Sequence, residues 1–324
     1  MAQSTKRLRA SLVAVAIGGV LTLAACGSSD DAGSGSTTPA ATTPASSEAP
    51  ASSEAPASSE APASSDAGTS GGSESSAAGG GELTDADLEA AKATLIEQGK
   101  LTVCTTLPFE PFQSSKGGEI VGFDVDIVDL VAAKLGVEQS IIDTPFEGIK
   151  SGEATNSGKC DAAAAGMSIT PEREEVMNFS VPYFDANFAL VVPSGSAVTK
   201  LEDLSGKKVG GQASTTGLDY LNENQAKFGY EVVEYTGFDL QSQALLTGQV
   251  DAALNDTPVF KNLLAQNPDA IAIVTEYESG DSYGVGIKKG NDALTKVFDS
   301  VITDSKANGE YKAIYEEWIG PYAG

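Results

Sequence analysis

Apolar residues between positions 82 and 324 recur with two different periods, and the two periods alternate along the chain. Thr84 to Asp87 offers a helix start, and Leu88, Ala91, Leu95 and Ile96 follow at helical spacing until Gly99. Leu101 to Thr106 reads as a strand, broken by Pro108 and Pro111. From Phe123 to Leu135 the residues Phe123, Ile127, Leu130, Val131 and Leu135 share one helical face, closed by Gly136. Asp161 to Met167 reads as a buried strand of small residues. Strands are also predicted at Leu190–Val192, Lys207–Gly211, Asp251–Leu254 and Val285–Ile287. Helices are predicted at Thr216–Asn224 and Pro258–Ala265, and over Asp292–Trp318 around Gly309. Such alternation predicts an α/β fold with mainly parallel sheets. One segment also echoes another: Ser157-Gly-Lys-Cys-Asp161-Ala-Ala resembles Thr247-Gly-Gln-Val-Asp251-Ala-Ala. Polar residues follow both strands, Ser168 in the first case, Asn255 and Asp256 in the second. Ligands of open α/β sheets bind beyond the carboxyl ends of strands. Two equivalent strand ends therefore predict two lobes facing one cleft.

The first 81 residues show neither period. Lys6, Arg7 and Arg9 precede an apolar stretch from Ser11 to Ala25, which is short for a membrane span of about 20 residues. Residues 1–25 read as an export signal. Leu23-Ala24-Ala25-Cys26 resembles a bacterial lipoprotein box, in which Cys26 carries lipid and becomes the first mature residue. Residues 26–81 are almost only Ser, Gly, Ala, Thr, Pro, Asp and Glu, with Ala-Ser-Ser-Glu-Ala-Pro repeated from positions 45, 51 and 57. A segment with no apolar surface to bury cannot offset its chain entropy, so it reads as a disordered tether. Membrane contact is expected through the N-terminal lipid alone.

Composition removes several function classes. The chain has 324 residues with 20 Lys+Arg and 45 Asp+Glu, a formal net charge of −25. Nucleic acid is not an expected partner, because binding it requires a basic face. The absence of histidine removes the Ser-His-Asp and Cys-His arrangements and every His-ligated metal site. Cys26, Cys104 and Cys160 show no zinc spacing, and no metal or cofactor is predicted. An exported Cys104 and Cys160 favour a disulfide, provided the strand register brings their Cα atoms within about 7 Å.

Three motifs in order then give the chain a family likeness. They are Gly122-Phe-Asp-Val-Asp-Ile127 with Val131-Ala-Ala-Lys-Leu135, then Ala165-Gly-Met-Ser-Ile-Thr170 with Pro171-Glu-Arg173, then Asn178-Phe-Ser180 with Pro182-Tyr183. The set resembles the extracellular solute-binding proteins for polar amino acids, family 3, over about residues 99–320. The resemblance implies a two-lobe periplasmic-binding-protein-like fold with a two-strand hinge. It also implies an amino-acid ligand and delivery to the permease of an ABC importer. Lobe 1 is expected at 82–191 and 286–324, and lobe 2 at 192–285. With the lipid signal, the expected form is a monomer tethered at the outer face of the cytoplasmic membrane. Two other classes remain open, a dehydratase-like enzyme on this scaffold and an amino-acid sensor domain.

The same resemblance carries site residues onto this chain. Arg173, the sole arginine after residue 9, matches the arginine that holds the ligand α-carboxylate with a planar fork. A surface ion pair with Glu172 or Glu174 is the alternative. Asp256 matches the aspartate that takes the α-ammonium, with a helix cap before Pro258 as its alternative. Gly166, Ser168, Thr215 and Thr216 match groups completing the carboxylate and ammonium shells. Phe109 and Phe146 match aromatic residues flanking the ligand side chain. Thr106 stands where many members for cationic ligands have an acidic residue. Gln212 and Asn255 can face the side chain, so a neutral, glutamine-like ligand is expected. Asp124 and Asp126 read as solvated or helix-starting groups.

Overall fold

The computed structural model describes residues 83–323. The expected signal at 1–25, the lipidated Cys26 and the tether to residue 81 lie outside the described residues. Helix α1 (Asp85–Lys92) starts on a reciprocal cap, Thr84 Oγ1 accepting from Asp87 N–H at 3.2 Å and Asp87 Oδ2 from Thr84 N–H at 2.9 Å. It ends before Leu95, which is still buried, and Ile96, which is exposed. Strand β1 (Lys100–Thr105), the short hairpin β2 (Ser114–Lys116) and β3 (Glu119–Val121), helix α2 (Phe123–Leu135) and strand β4 (Glu138–Asp143) follow. Helix α2 has the bounds its apolar face predicts, and Gly136 ends it in the left-handed region at φ 69°. Two short helices, α3 (Phe146–Lys150) and α4 (Glu153–Asn156), lead to β5 (Ala162–Ala163), α5 (Pro171–Val176) and β6 (Met177–Phe179). The strand expected over Asp161–Met167 is thus only two residues long. Beyond it the backbone leaves the sheet and turns to the cleft described below.

The chain then builds a second sheet from β7 (Phe184–Pro193), β8 (Lys208–Gln212), β9 (Glu231–Tyr235), β10 (Ala252–Asp256) and β11 (Ile271–Tyr283). Helices α6 (Thr216–Phe228), α7 (Phe238–Leu246) and α8 (Thr257–Gln266) connect them. Strand β12 (Gly286–Lys288) returns to the first sheet, and α9 (Asp292–Asn308) and α10 (Glu310–Trp318) close the fold, parted at Gly309. The sheet orders are β4-β1-β5-β12-β6 and β11-β7-β10-β8-β9.

The two sheets confirm the two-lobe α/β plan and refine the expectation of mainly parallel strands. β1 runs parallel to β4 and β5, and β8 parallel to β9 and β10. The strands at or next to the crossings, β6, β7, β11 and β12, pair antiparallel. The sheets are therefore mixed, because a chain that crosses between lobes and returns must reverse direction in each.

The crossings also move the expected lobe boundary at residue 191. β7 begins at Phe184 with alternating burial, so its period-2 pattern extends earlier than Leu190–Val192. The first crossing is Ser180–Tyr183 and the second Gly284–Val285. They are bound to each other: Tyr183 N–H donates to Tyr283 O at 2.9 Å, Ser180 N–H to Val285 O at 3.0 Å, and Val285 N–H to Ser180 Oγ at 3.0 Å.

The internal echo has one structural meaning in both lobes. Asp161 accepts from Thr102 N–H at 2.8 Å, and Asp251 accepts from Lys208 N–H at 2.8 Å. Each aspartate ties its own strand to the strand beside it, β5 to β1 and β10 to β8. Gly158 and Gly248 precede them at φ 78° and 72°, a conformation that favours glycine. Cys104 and Cys160 are bridged, with Cα atoms 5.7 Å apart. The parallel register Cys104↔Ala163 brings them into range.

Candidate functional site

The carboxyl ends of β1, β5, β8 and β10 meet at a narrow, nearly closed cleft between the sheets, with a free volume of about 10 Å³. It is lined by Thr106, Phe109, Phe146, Ala165, Gly166, Ser168, Arg173, Gln212, Thr215, Thr216 and Asp256. Ten of these eleven are residues that sequence reading singled out. Ala165 is the addition and Asn255 the omission.

Arg173 stands on α5, whose start is capped by Thr170 Oγ1 accepting from Arg173 N–H at 3.3 Å. Its side chain does not go to the surface. It is 6% exposed, donates from Nη1 to Ser168 O at 2.7 Å and from Nη2 to Ser214 O at 3.0 Å, and lies 5.6 Å from the Phe146 ring centre. Among the described residues no carboxylate comes within 4 Å of it, so the ion pair with Glu172 or Glu174 is not formed. Burial pulls its pKa below the usual arginine value, while Asp281, Asp219 and Asp256 at longer range oppose that. A buried cation without an adjacent anion is costly, and the arrangement can accept one. Ser214 is the one non-glycine described residue at positive φ, 68°, and this conformation accompanies the Arg173 contact.

Asp256 occupies the cap position before α8, yet its side chain makes no cap hydrogen bond. It turns to the cleft, where Oδ2 accepts from Tyr283 Oη. Burial pushes its pKa up to about 7, opposed by the Tyr283 hydrogen bond, reinforced by Asp281 and opposed again by Arg173. Thr215 caps α6 by accepting from Leu218 N–H at 3.1 Å, and its hydroxyl donates to Gln212 O at 2.8 Å. That hydroxyl is thus committed to the turn, which leaves its backbone as the group open to a ligand. Ser168 and Thr216 face each other across the lobes at 3.4 Å, and Ser168 Oγ donates to Asp281 Oδ2 at 3.1 Å. Asp281 was not legible in sequence, because it stands in a polar run, Glu278 to Ser282, without a motif.

Phe109 leans on the wall at Gly166. A Cβ on Gly166, whose φ is 57°, would lie 2.7 Å from Phe109 Cε1. No other residue type leaves that ring in place.

The neutral end of the cleft is oriented by a chain of amides. Gln241 Nε2 donates to Gly210 O and Leu254 O, both at 2.9 Å, so its Oε1 must accept. It accepts from Asn255 Nδ2 at 2.8 Å, and Asn255 Oδ1 accepts from Asp256 N–H at 2.8 Å. The second Asn255 Nδ2 proton then goes to Gln212 Oε1 at 3.1 Å. Backbone groups fix every flip in this chain, and its last member, Gln212, is left with Nε2 as the group to present. Asn255, expected to face the ligand, instead lies behind the wall and sets Gln212.

Asp124 stands in the first turn of α2, so of its two expected readings the helix-starting one holds and the solvated one does not. It is 1% exposed and buried between the lobes' crossings and the cleft wall, not solvated. Its partner Asp126 is half-buried and accepts from Trp318 Nε1 at 2.6 Å. A wider groove, of about 470 Å³, lies between α8, α10 and Pro111. Its lysine, Lys261, is already paired with Glu276 at 3.0 Å, so it lacks the unpaired charge of the cleft.

A fold of two α/β lobes with one guanidinium and one carboxylate lining the cleft between them can receive a ligand that carries both charges. Residues 101–321 match the family of bacterial extracellular solute-binding proteins, family 3, and the chain belongs to that family. The L-cystine-binding protein TcyJ of Escherichia coli is 30% identical over 227 residues, 69% of this chain and 84% of that protein. Two solved structures of an ancestral arginine-binding protein, one bound to arginine and one to glutamine, are each 39% identical with TM-scores of 0.65. The match covers 68% and 69% of this chain respectively, and 99% of each of those chains. The chain thus binds amino acids for ABC transport, outside the cytoplasm.

Proposed function

We propose that the cleft holds a free amino acid with an uncharged polar side chain, glutamine foremost, and that the closed protein hands it to an ABC permease. The observation that carries this reading is the charge of the lining: Arg173 and Asp256 are its only ionisable residues, and the further carboxylate close by, Asp281, stands outside the lining and accepts from Ser168 Oγ at 3.1 Å. Arg173 holds the α-carboxylate, with Ser168 and the Thr215–Thr216 backbone beside it. Asp256 and Gly166 receive the α-ammonium. Phe109 and Phe146 flank the side chain, and Gln212 Nε2 donates to its carbonyl oxygen.

A cationic ligand is the competing reading, since the ancestral relative was solved with arginine as well as glutamine. It would need another carboxylate. Thr106 supplies none, Asp281 is engaged by Ser168 Oγ at 3.1 Å at the α-carboxylate end, and Glu110 is engaged by Asn262 Nδ2 at 2.8 Å and Gln266 Nε2 at 3.1 Å outside the lining. An enzyme would need a free acid or base in the cleft. Asp256 is the one lining carboxylate, and the ammonium requires it. Cys26 anchors the protein by lipid, and residues 26–81 give it reach. A thermal-shift screen of ligand-stripped protein against the common amino acids tests the ligand class: glutamine should raise the midpoint most, and a larger rise with arginine or lysine would refute the neutral site.

A further inference from the structure

Asp124 is a buried carboxylate that none of these ligand contacts uses. We propose that it is a positioning residue, holding the ligand-facing wall at Gly166 and the first hinge crossing at Tyr183 on one side chain. The inference rests on the cleft being an amino-acid site.

Asp124 Oδ2 accepts from Gly166 N–H at 2.7 Å, and Oδ1 accepts from Tyr183 Oη at 2.8 Å. It is the second residue of the 13-residue helix α2, where the helix dipole favours an anion. Among the described residues no lysine or arginine lies within 4 Å of it. Burying a carboxylate without a cation is unfavourable, and an apolar side chain would fill the space at less cost. What Asp124 adds is placement.

The placement acts on the peptide between Ala165 and Gly166. A trans peptide points its C=O and N–H in opposite directions. Asp124 holds the Gly166 N–H, which fixes the plane of the peptide between two residues that both line the cleft. Losing that bond frees that peptide to rotate and shifts the wall against Phe109, where there is no room for even a Cβ.

Tyr183 gives the other end its meaning. Besides donating to Asp124, it donates its N–H to Tyr283 O, where β11 runs into the second crossing, and its carbonyl accepts from Tyr311 Oη of α10 at 2.7 Å. Both crossings and the C-terminal helix therefore converge on the residue that Asp124 holds. Movement of the hinge is passed to the ligand wall through two hydrogen bonds.

The test compares wild type with Asp124→Asn, Asp124→Ala and Tyr183→Phe, reading the Gly166 amide proton by NMR and glutamine affinity by calorimetry. In wild type the Gly166 proton should be shifted downfield and exchange slowly. Asp124→Asn still offers an oxygen to Gly166, so it should keep most of that shift and bind within about threefold of wild type. Asp124→Ala should lose the shift and raise Kd by about tenfold or more. Tyr183→Phe should keep the shift and weaken binding by about threefold. Wild-type affinity in Asp124→Ala overturns the proposal. If that variant does not fold, a large affinity loss in Asp124→Asn with the Gly166 signal unmoved overturns it equally. These results leave the amino-acid reading intact, whereas wild-type protein that binds no amino acid removes both.

Discussion

Replacing Arg173 by lysine keeps the charge and removes the fork. In the structure the guanidinium spends one donor on Ser168 O and one on Ser214 O, which leaves three of its five for a ligand. Lysine has three donors in all and a single nitrogen. Once it replaces even one of those wall contacts, it cannot offer two parallel bonds to a carboxylate. A charge-assisted hydrogen bond is worth about 1.5–3 kcal/mol, so losing one bond to the ligand gives about 2 kcal/mol. The Ser214 contact joins the lobes, and its loss adds about 1 kcal/mol against closure. The sum, about 3 kcal/mol, corresponds to about two orders of magnitude in Kd. Stability without ligand should change little, because the wild-type guanidinium is already desolvated without a facing carboxylate. Calorimetry with glutamine, beside a thermal melt of the ligand-free variant, separates the two quantities. A Kd within about threefold of wild type would remove Arg173 from the carboxylate site.

Thr106→Asp should supply the missing anion: arginine affinity should rise by about tenfold and glutamine affinity fall, as competition calorimetry would register. Glu110→Ala removes the bonds to Asn262 and Gln266 that hold the lobes together outside the cleft, so every ligand should weaken by the same factor, about fivefold, with the preference among ligands unchanged. The pH dependence of affinity and of stability should have opposite signs. Asp256 and Asp124 both have folded-state values raised to about 7, above those of an unfolded aspartate. The ligand-free fold therefore binds extra protons between the unfolded value and about 7, and its stability should fall as pH rises through that window. Affinity should instead fall as pH drops below about 7, since a protonated Asp256 cannot pair with an ammonium; melts and titrations across that window check both signs.

The parts of the fold that were legible are those where one pattern acted alone. Helix α2 was readable to the residue because its apolar face, Gly122 and Gly136 all agree. Strand β11 was not, because residues such as Glu276, Glu278 and Asp281 give it the look of a loop, and only pairing with β7 makes it a strand. The short β5 was overread since small apolar residues suit both a buried strand and a cleft wall. Among the residues that line the cleft, Arg173 and Asp256 were legible through the family likeness together with their chemistry. Asn255 was misplaced, and Asp124 was read as a helix-starting group without its buried partners, for a common reason: a polar side chain in sequence does not say which way it points. Asn255 is turned inward by Gln241, a residue 14 positions away, and Asp124 by Gly166, 42 positions away.

The proposed site has one cation and one anion in its lining, Arg173 and Asp256. Titration of ligand-stripped protein with glutamine and arginine in the same buffer measures this most directly. Glutamine should bind more tightly by about tenfold or more, because arginine would bury a guanidinium with no lining carboxylate free to meet it. Arginine binding as tightly as glutamine, or more so, would contradict it.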